Sequence, residues 1–583
     1  MDVMIQVRSI DLLMKFLKHD VRNIPSYGYA LQKNRLLGGD ESVPLPRCAP
    51  EEAGVRSAAL ERFFRDIGAE ADSIAAHGAL IMRHGKVIAE GAWAPYRADV
   101  PHMLYSMSKS VTGTAVGMAV DEGYLSIDER LIDIFPGMVS STQAKILKGH
   151  TVRHLLTMST GSRFNEVGSV LDGSWARMFM ESIPKFEAGS AFEYNSINSY
   201  MLAAIVAKRT GMSLTEFLTP RLFEPLGIAR HEWEKCPEGV EKGGWGLSLT
   251  MQDAAKIGQL YLNGGVWNGR RLISEAWCRE ATKKQIITPN GEMKHGYGYQ
   301  IWVSDDEGGF QFNGAFGQYV LCMPKYDAVA VIFSGSSKLF AQGTLTEHIA
   351  RIFEGAAEGA LPPDGAAHAS LMEYTASMRF EPEMPEGLSC DPDEFERISA
   401  LLDGREYKLE GNVGGVFPTT IQGVHSNYTA GTDMLRFEKR GDRLAIYFYE
   451  GDERNAILLR PDGGFTEGAF TMRGETQKTG TRAKWRLVPG LIRISALTSL
   501  IETPDTRRFD ITINHNRVKI VFEELPKLDR VVDMLFELVG ISQVAYLKKL
   551  LPEVRRENLE ELVRHMTVPV AEGVVIKHNE GIV

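Results

Sequence analysis

The sequence predicts a mixed fold, α/β in the α+β sense, with a larger unit of helices and strands followed by a smaller antiparallel β-rich unit. Three observations carry this reading. Helical periods are interleaved with short apolar strands over residues 50–355, the composition shifts to Ala, Gly, Pro and acidic residues over 356–395, and alternating segments recur at hairpin spacing from 396 onward. The chain has 583 residues, room for about three to four domains at roughly 150 residues each. Its 65 Lys and Arg stand against 75 Asp and Glu, a net charge of −10 with no block of like charge, which argues against a general nucleic-acid binder. Apolar residues at 44% and charged residues at 24% exclude the disordered and fibrous classes.

Each element follows in order. Residues 1–49 form an N-terminal extension in which Ile10, Leu13, Met14 and Leu17 fall at helical spacing, predicting a short amphipathic helix docked on the body. The extension lacks the apolar stretch of a secretory signal, and no run reaches the roughly 18 apolar residues of a spanning helix. Cys48, Cys236, Cys278, Cys322 and Cys390 are scattered without a C-x-x-C pair, so a disulfide framework and a zinc ribbon are both unsupported and a reducing, cytoplasmic setting is expected. A helix is expected from Ser57 to about Ile67, a hairpin over 79–89 turning at His84-Gly85-Lys86, a helix within 243–265, strands over 297–303, 319–323 and 329–333, and a helix over 344–355. Residues 356–395 read as a linker, and 396–525 as an antiparallel sheet or small barrel. From 526 to 583 the period returns to helical.

The chemistry concentrates in Met103 to Val120. Ser106 and Lys109 are three apart at the start of an apolar helix, so both project from one face within a single turn. A serine hydroxyl attacks only once a base takes its proton, and an amine is such a base only when desolvation or a neighbouring cation lowers its pKa. An apolar helix start supplies the desolvation, and its free backbone N–H groups can face an oxyanion. A serine cap followed by a surface lysine is the bland alternative, and a second such pair, Ser182 and Lys185, is interrupted by Pro184. None of the histidines lies in a G-x-S-x-G context; His102 reads as a packing or substrate-lining residue, and His295 as structural or pocket-lining.

Two further segments match the first: Tyr194-Asn195-Ser196, in a Gly/Ser/Asn-rich turn before another apolar helix, and Phe312-Asn313-Gly314, on a Gly-rich approach to a strand. With them, residues 50–355 resemble the serine β-lactamase and penicillin-binding-protein superfamily, in particular its class C-like branch with family VIII carboxylesterases, D-aminopeptidases and 6-aminohexanoate-dimer hydrolases. The resemblance implies a β-lactamase-like domain, an antiparallel sheet flanked by helices with a helical subdomain. It also implies Ser106 as nucleophile, Lys109 as general base and Tyr194 as proton relay. The amides of Ser106 and Ala315 are then the oxyanion hole, and Tyr105, Ser196, Asn313, Gly314 and Phe316 the substrate contacts. From the residues alone, the aromatics Tyr105, Trp245, Tyr297, Trp302 and Phe316 either shape an apolar acyl site or simply belong to the core. Neither metal nor organic cofactor is required. Ser196 stands where β-lactamases carry Asn, and no Lys or His occupies the third motif, where a cation usually engages a β-lactam carboxylate. The expectation is a serine hydrolase of small carboxylic esters or simple amides with weak or no β-lactamase activity. D-peptidase or acyltransferase activity, a non-hydrolysing acyl-enzyme sensor, a scaffold protein and homo-oligomeric assembly stay open.

Overall fold

The computed structural model describes residues 41–166, 169, 173–289, 296–304, 308–338, 342–410, 414–425, 427–527, 564 and 567–577. The expected N-terminal amphipathic helix and His295 lie outside them.

The larger unit is built on an antiparallel sheet that has eight strands among the described residues. From one edge these are Lys86–Ala92, Ala76–Arg83, Ala328–Ser334, Gln318–Met323, Phe310–Gly314, Trp302–Val303, Gly296–Tyr297 and Ile286–Ile287. Helices cover both faces, so the central strands are buried along their whole length and read as continuous apolar runs. Successive side chains nevertheless part to opposite sides. Leu80, Met82, Val329 and Val331 join one core with helices Ser108–Asp121, Ser196–Thr210 and Met251–Leu262. Ala79, Ile81, Ala330 and Ile332 join another with helices Ser57–Ala69 and Leu345–Ile352.

Three expectations are corrected. The strand expected over 297–303 is a tight hairpin, with Tyr297 opposite Trp302, because Gln300 adopts a positive φ of 61° in the turn. The supposed linker contains the helix Gly365–Ser377, whose Leu371 is buried in the second core and whose Tyr374 lies under the Arg65 guanidinium at 4.0 Å. The C-terminal segment, expected to be helical, contributes strand Val570–Lys577, inserted between Glu406–Glu410 and Arg517–Leu525.

That insertion nearly closes the second domain, an antiparallel sheet with ten strands among the described residues. Its outer strands, Glu453–Leu459 and Thr466–Met472, are bridged by the Asn455 side chain, which donates to Thr471 O at 3.1 Å and accepts from Thr471 N at 2.7 Å. Phe437, Ile446, Phe448, Phe509 and Phe522 fill the interior. The segment from Gly414 to Thr432, with its short helix Thr419–His425, lies against this barrel. The buried Glu450 carboxylate holds it there, accepting from Val416 N at 2.8 Å, Thr429 Oγ1 at 2.7 Å and Thr432 Oγ1 at 2.8 Å. Among the described residues, no helix is long and apolar enough to cross a membrane.

Candidate active site

Strand His102–Met103 runs through a single turn, Tyr105–Met107, into helix Ser108–Asp121. The helix is small or apolar on every side, and all its residues from Ser108 to Ala119 are buried. Lys109 is accordingly only 1% exposed. Its Nζ donates to Ser106 Oγ at 2.7 Å and to Gly244 O at 2.8 Å. Burial lowers the pKa of this amine to about 7, partly opposed by the nearby Glu166 carboxylate. Gly244 can bring its carbonyl this close because it carries no side chain, since a Cβ there would lie 2.6 Å from Ser196 O.

Tyr194 completes a cluster around the serine. Its hydroxyl hydrogen-bonds Ser106, and Lys109 Nζ lies over the phenol ring, 4.8 Å from its centroid. Burial raises the phenol's pKa, so the ring stays protonated across the accessible range. The ring stacks on Trp302 at 5.6 Å, with Phe192 and Tyr297 completing an aromatic wall. Asn195 caps helix Ser196–Thr210, accepting from Ile197 N at 2.9 Å, while its Nδ2 donates to Phe164 O at 2.9 Å. Ser196 is buried at the first position of that helix, packed on Gly244, and its amide donates to Glu166 Oε1. Glu166 thus faces both Lys109 and Tyr194 electrostatically. The sequence reading missed it, because nothing local distinguishes it from other acidic loop residues.

The third segment comes up against the same turn. A Cβ on Gly314 would lie 2.1 Å from Leu104 O, so strand Phe310–Gly314 meets the approach to Ser106 only through a glycine. Ala315 and Phe316 pack with Met103 and Tyr105, the Tyr105 and Phe316 rings lying 4.9 Å apart edge to face. Tyr105 and Phe316 both adopt positive φ, 49° and 64°. Asn313 is buried in the strand opposite Tyr319. Phe312 is 1% exposed in the apolar core.

The remaining candidates separate. His102 is a buried packing residue, stacked on Phe333 at 5.0 Å. Ser182 accepts from Arg163 N at 2.9 Å while Lys185 pairs with Glu193, so that second Ser-x-x-Lys pair serves other contacts. Among the described residues, no three His, Cys, Asp or Glu side chains are placed to hold a metal ion.

The second domain abuts this site. Met103 N donates to Glu502 O at 2.8 Å, in the loop between strands Leu491–Leu500 and Thr506–Asn514. Near Gly244, Lys242 Nζ pairs with Glu234 Oε2 at 2.7 Å, and His425 Nδ1 of the second domain pairs with Glu234 Oε1 at 2.6 Å. Burial favours protonating Glu234, but His425 and Lys242 outweigh it and hold the carboxyl at about 2. Burial likewise opposes charge on His425, and Glu234 overrides it to raise the imidazole's pKa.

The family model described as Beta-lactamase matches residues 60–351. A 6-aminohexanoate-dimer hydrolase of Paenarthrobacter ureafaciens is 28% identical over 317 residues, 49% of this chain and 79% of its own. Among solved structures, a penicillin-binding-protein homologue from Caulobacter crescentus superposes with a TM-score of 0.42 at 18% identity, covering 54% of this chain and 99% of its own. A family VIII carboxylesterase gives a TM-score of 0.42 at 17% identity over 54% of this chain and 99% of its own.

Proposed function

The chain belongs to the β-lactamase family, and on that premise we propose that it is a serine hydrolase cleaving a small carboxylic ester or simple amide through an acyl-enzyme. The observation that carries the reading is the 2.7 Å hydrogen bond between a buried Lys109 amine and the Ser106 hydroxyl. With its pKa near 7, the amine is available in its neutral form at physiological pH and takes the serine proton as Oγ bonds to the substrate carbonyl carbon. The amides of Ser106 and Ala315 receive the oxyanion. Tyr194, hydrogen-bonded to Ser106, delivers the proton to the departing oxygen or nitrogen as that bond breaks. Water then attacks the acyl-enzyme and frees the acid. An apolar Phe312 in place of a cation supports weak or no turnover of β-lactams, whose carboxylate finds no charged partner at that position.

The test is intact mass after a fluorophosphonate probe, run on wild type, Ser106→Ala and Lys109→Ala, with turnover of p-nitrophenyl esters. Wild type acquires one adduct, Ser106→Ala none, and Lys109→Ala labels and turns over roughly 10²–10⁴-fold more slowly. Equal labelling of Ser106→Ala and wild type overturns the assignment.

A further inference from the structure

A neutral amine has N–H groups and a single lone pair, so Lys109 can take the Ser106 proton only when an N–H is engaged elsewhere and the lone pair faces Oγ. The Gly244 carbonyl, 2.8 Å from Nζ, engages that N–H. Its exact place matters, because misplacing a catalytic group by about 1 Å can cost on the order of 10²-fold in rate.

The chain around Gly244 does little to fix itself. Residues 242–246 run Lys-Gly-Gly-Trp-Gly, with Gly243 and Gly246 at positive φ of 62° and 88°. Glycines widen the conformations open to a turn, so this one depends on its surroundings. Thr112 Oγ1 donates to Gly243 O at 2.7 Å, and Trp233 Nε1 donates to Trp245 O at 3.0 Å. Both ends of the turn are tied to Glu234. Its amide donates to Gly246 O at 3.0 Å, its carbonyl accepts from Lys242 N at 2.8 Å, and its carboxylate accepts from Lys242 Nζ at 2.7 Å.

Glu234 is in turn fixed from the second domain. Its carboxylate is buried between two cations, with Lys242 on Oε2 and His425 Nδ1 on Oε1. Removing one partner of a buried ion pair leaves an uncompensated charge, which moves or takes up a proton. His425 ends the short helix Thr419–His425, in the segment that Glu450 fastens to the barrel and whose Thr419 N donates to Glu524 Oε2 at 2.6 Å. The path from the barrel to the base therefore runs through His425, Glu234, the turn of residues 242–246, Gly244 O and Lys109 Nζ, with no non-covalent step longer than 3.0 Å.

We propose that His425 is a positioning residue for the reaction: by pairing with Glu234 it fixes the turn whose Gly244 carbonyl orients the Lys109 amine, so the second domain is needed for turnover and not for binding the substrate. The inference rests on the serine hydrolase reading. It places the second domain in the catalytic apparatus without any contact of its own with the reacting atoms.

The experiment assays His425→Ala and His425→Gln, as full chains, with a p-nitrophenyl ester. Tyr96→Phe serves as the comparison, since it removes another contact between the domains, the Tyr96 hydroxyl with Thr506 Oγ1 at 3.2 Å, and lies on no step of the path. In His425→Ala, kcat falls roughly tenfold or more while KM stays within about twofold, and the rate of fluorophosphonate labelling at Ser106 falls with kcat. His425→Gln, which keeps a donor toward Glu234, loses less. Tyr96→Phe lowers the thermal unfolding temperature and leaves kcat near that of wild type. If His425→Ala does not fold, His425→Gln and Lys242→Gln decide the matter, and an unchanged kcat in both overturns the proposal. So does a His425→Ala effect confined to KM, or a loss of kcat in Tyr96→Phe as large as that in His425→Ala at an equal fall in unfolding temperature, because the union of the domains is then merely structural. Wild-type protein that does not label at Ser106 overturns the hydrolase reading instead.

Discussion

A lysine amine is ordinarily charged at neutral pH, and the proposed role of Lys109 as a base rests on a helix that is buried on all sides. The reactive form is the deprotonated one, so the sign of the pH dependence is fixed. For a neutral ester, kcat/KM rises about tenfold per pH unit below about 7 and levels off above it. Tyr194, whose burial raises its pKa, contributes no descending limb over the accessible range. Because Glu166 opposes the lowering, Glu166→Gln moves the inflection to lower pH, and a profile that stays put would show that Lys109 does not set the rate. The Ser106 and Lys109 pair was legible in the sequence because helical geometry alone brings residues three apart together. Glu166 was not, since it reaches Lys109 only through the fold, held by the amide of Ser196 at the start of a distant helix.

Elements were legible where their apolar period was clean. The hairpin at His84-Gly85 and the hairpin of Met434–Arg440 with Arg443–Glu450 fall where alternation and turn residues put them. Strand Glu475–Val488 escaped because its inward face carries Thr479 and Thr481 ahead of Ala483 and Trp485, so the apolar half of the alternation is short, and strand Val570–Lys577 because its pairing partners are remote in sequence. The segment from Gly414 to Thr432 has no strong period, and its placement depends on contacts remote in sequence: the Glu450 carboxylate, Glu524 Oε2 accepting from Thr419 N at 2.6 Å, and Arg507 Nε donating to Gly415 O at 3.1 Å. Burial raises the Glu450 pKa, while the three donors from Val416, Thr429 and Thr432 hold the side chain in place. Glu450→Ala orphans all three, at a cost of about 3 kcal/mol or more in urea unfolding, and Glu450→Gln, which keeps one acceptor oxygen, costs less. A loss no larger than that of a surface substitution would remove Glu450 as the anchor.

At the scale of the whole molecule, the sequence left the role of the β-rich domain open, because the contacts that join it to the larger unit pair residues far apart in the chain. These contacts include the Met103 amide on Glu502 O, the Tyr96 hydroxyl with Thr506 Oγ1 at 3.2 Å, and the buried pair of Glu234 and His425. The pair gives the union of the domains a pH dependence whose sign follows from the imidazole. Glu234 raises the folded pKa of His425 above its ordinary value of about 6.5, so the pair's stabilisation is fully present below that value and is lost as pH rises through the raised one. Glu234, held at about 2, stays ionised throughout, and the other groups facing the imidazole are Lys242, Glu475 and Asp505. A double-mutant cycle of Glu234→Gln and His425→Gln, read by thermal unfolding, is expected to give a coupling of about 1–3 kcal/mol near pH 6. The coupling shrinks at alkaline pH, once the imidazole has lost its proton. A coupling that is absent, or that grows with pH, would mean that the two domains are joined by their packing and backbone contacts and that this pair adds nothing to the union.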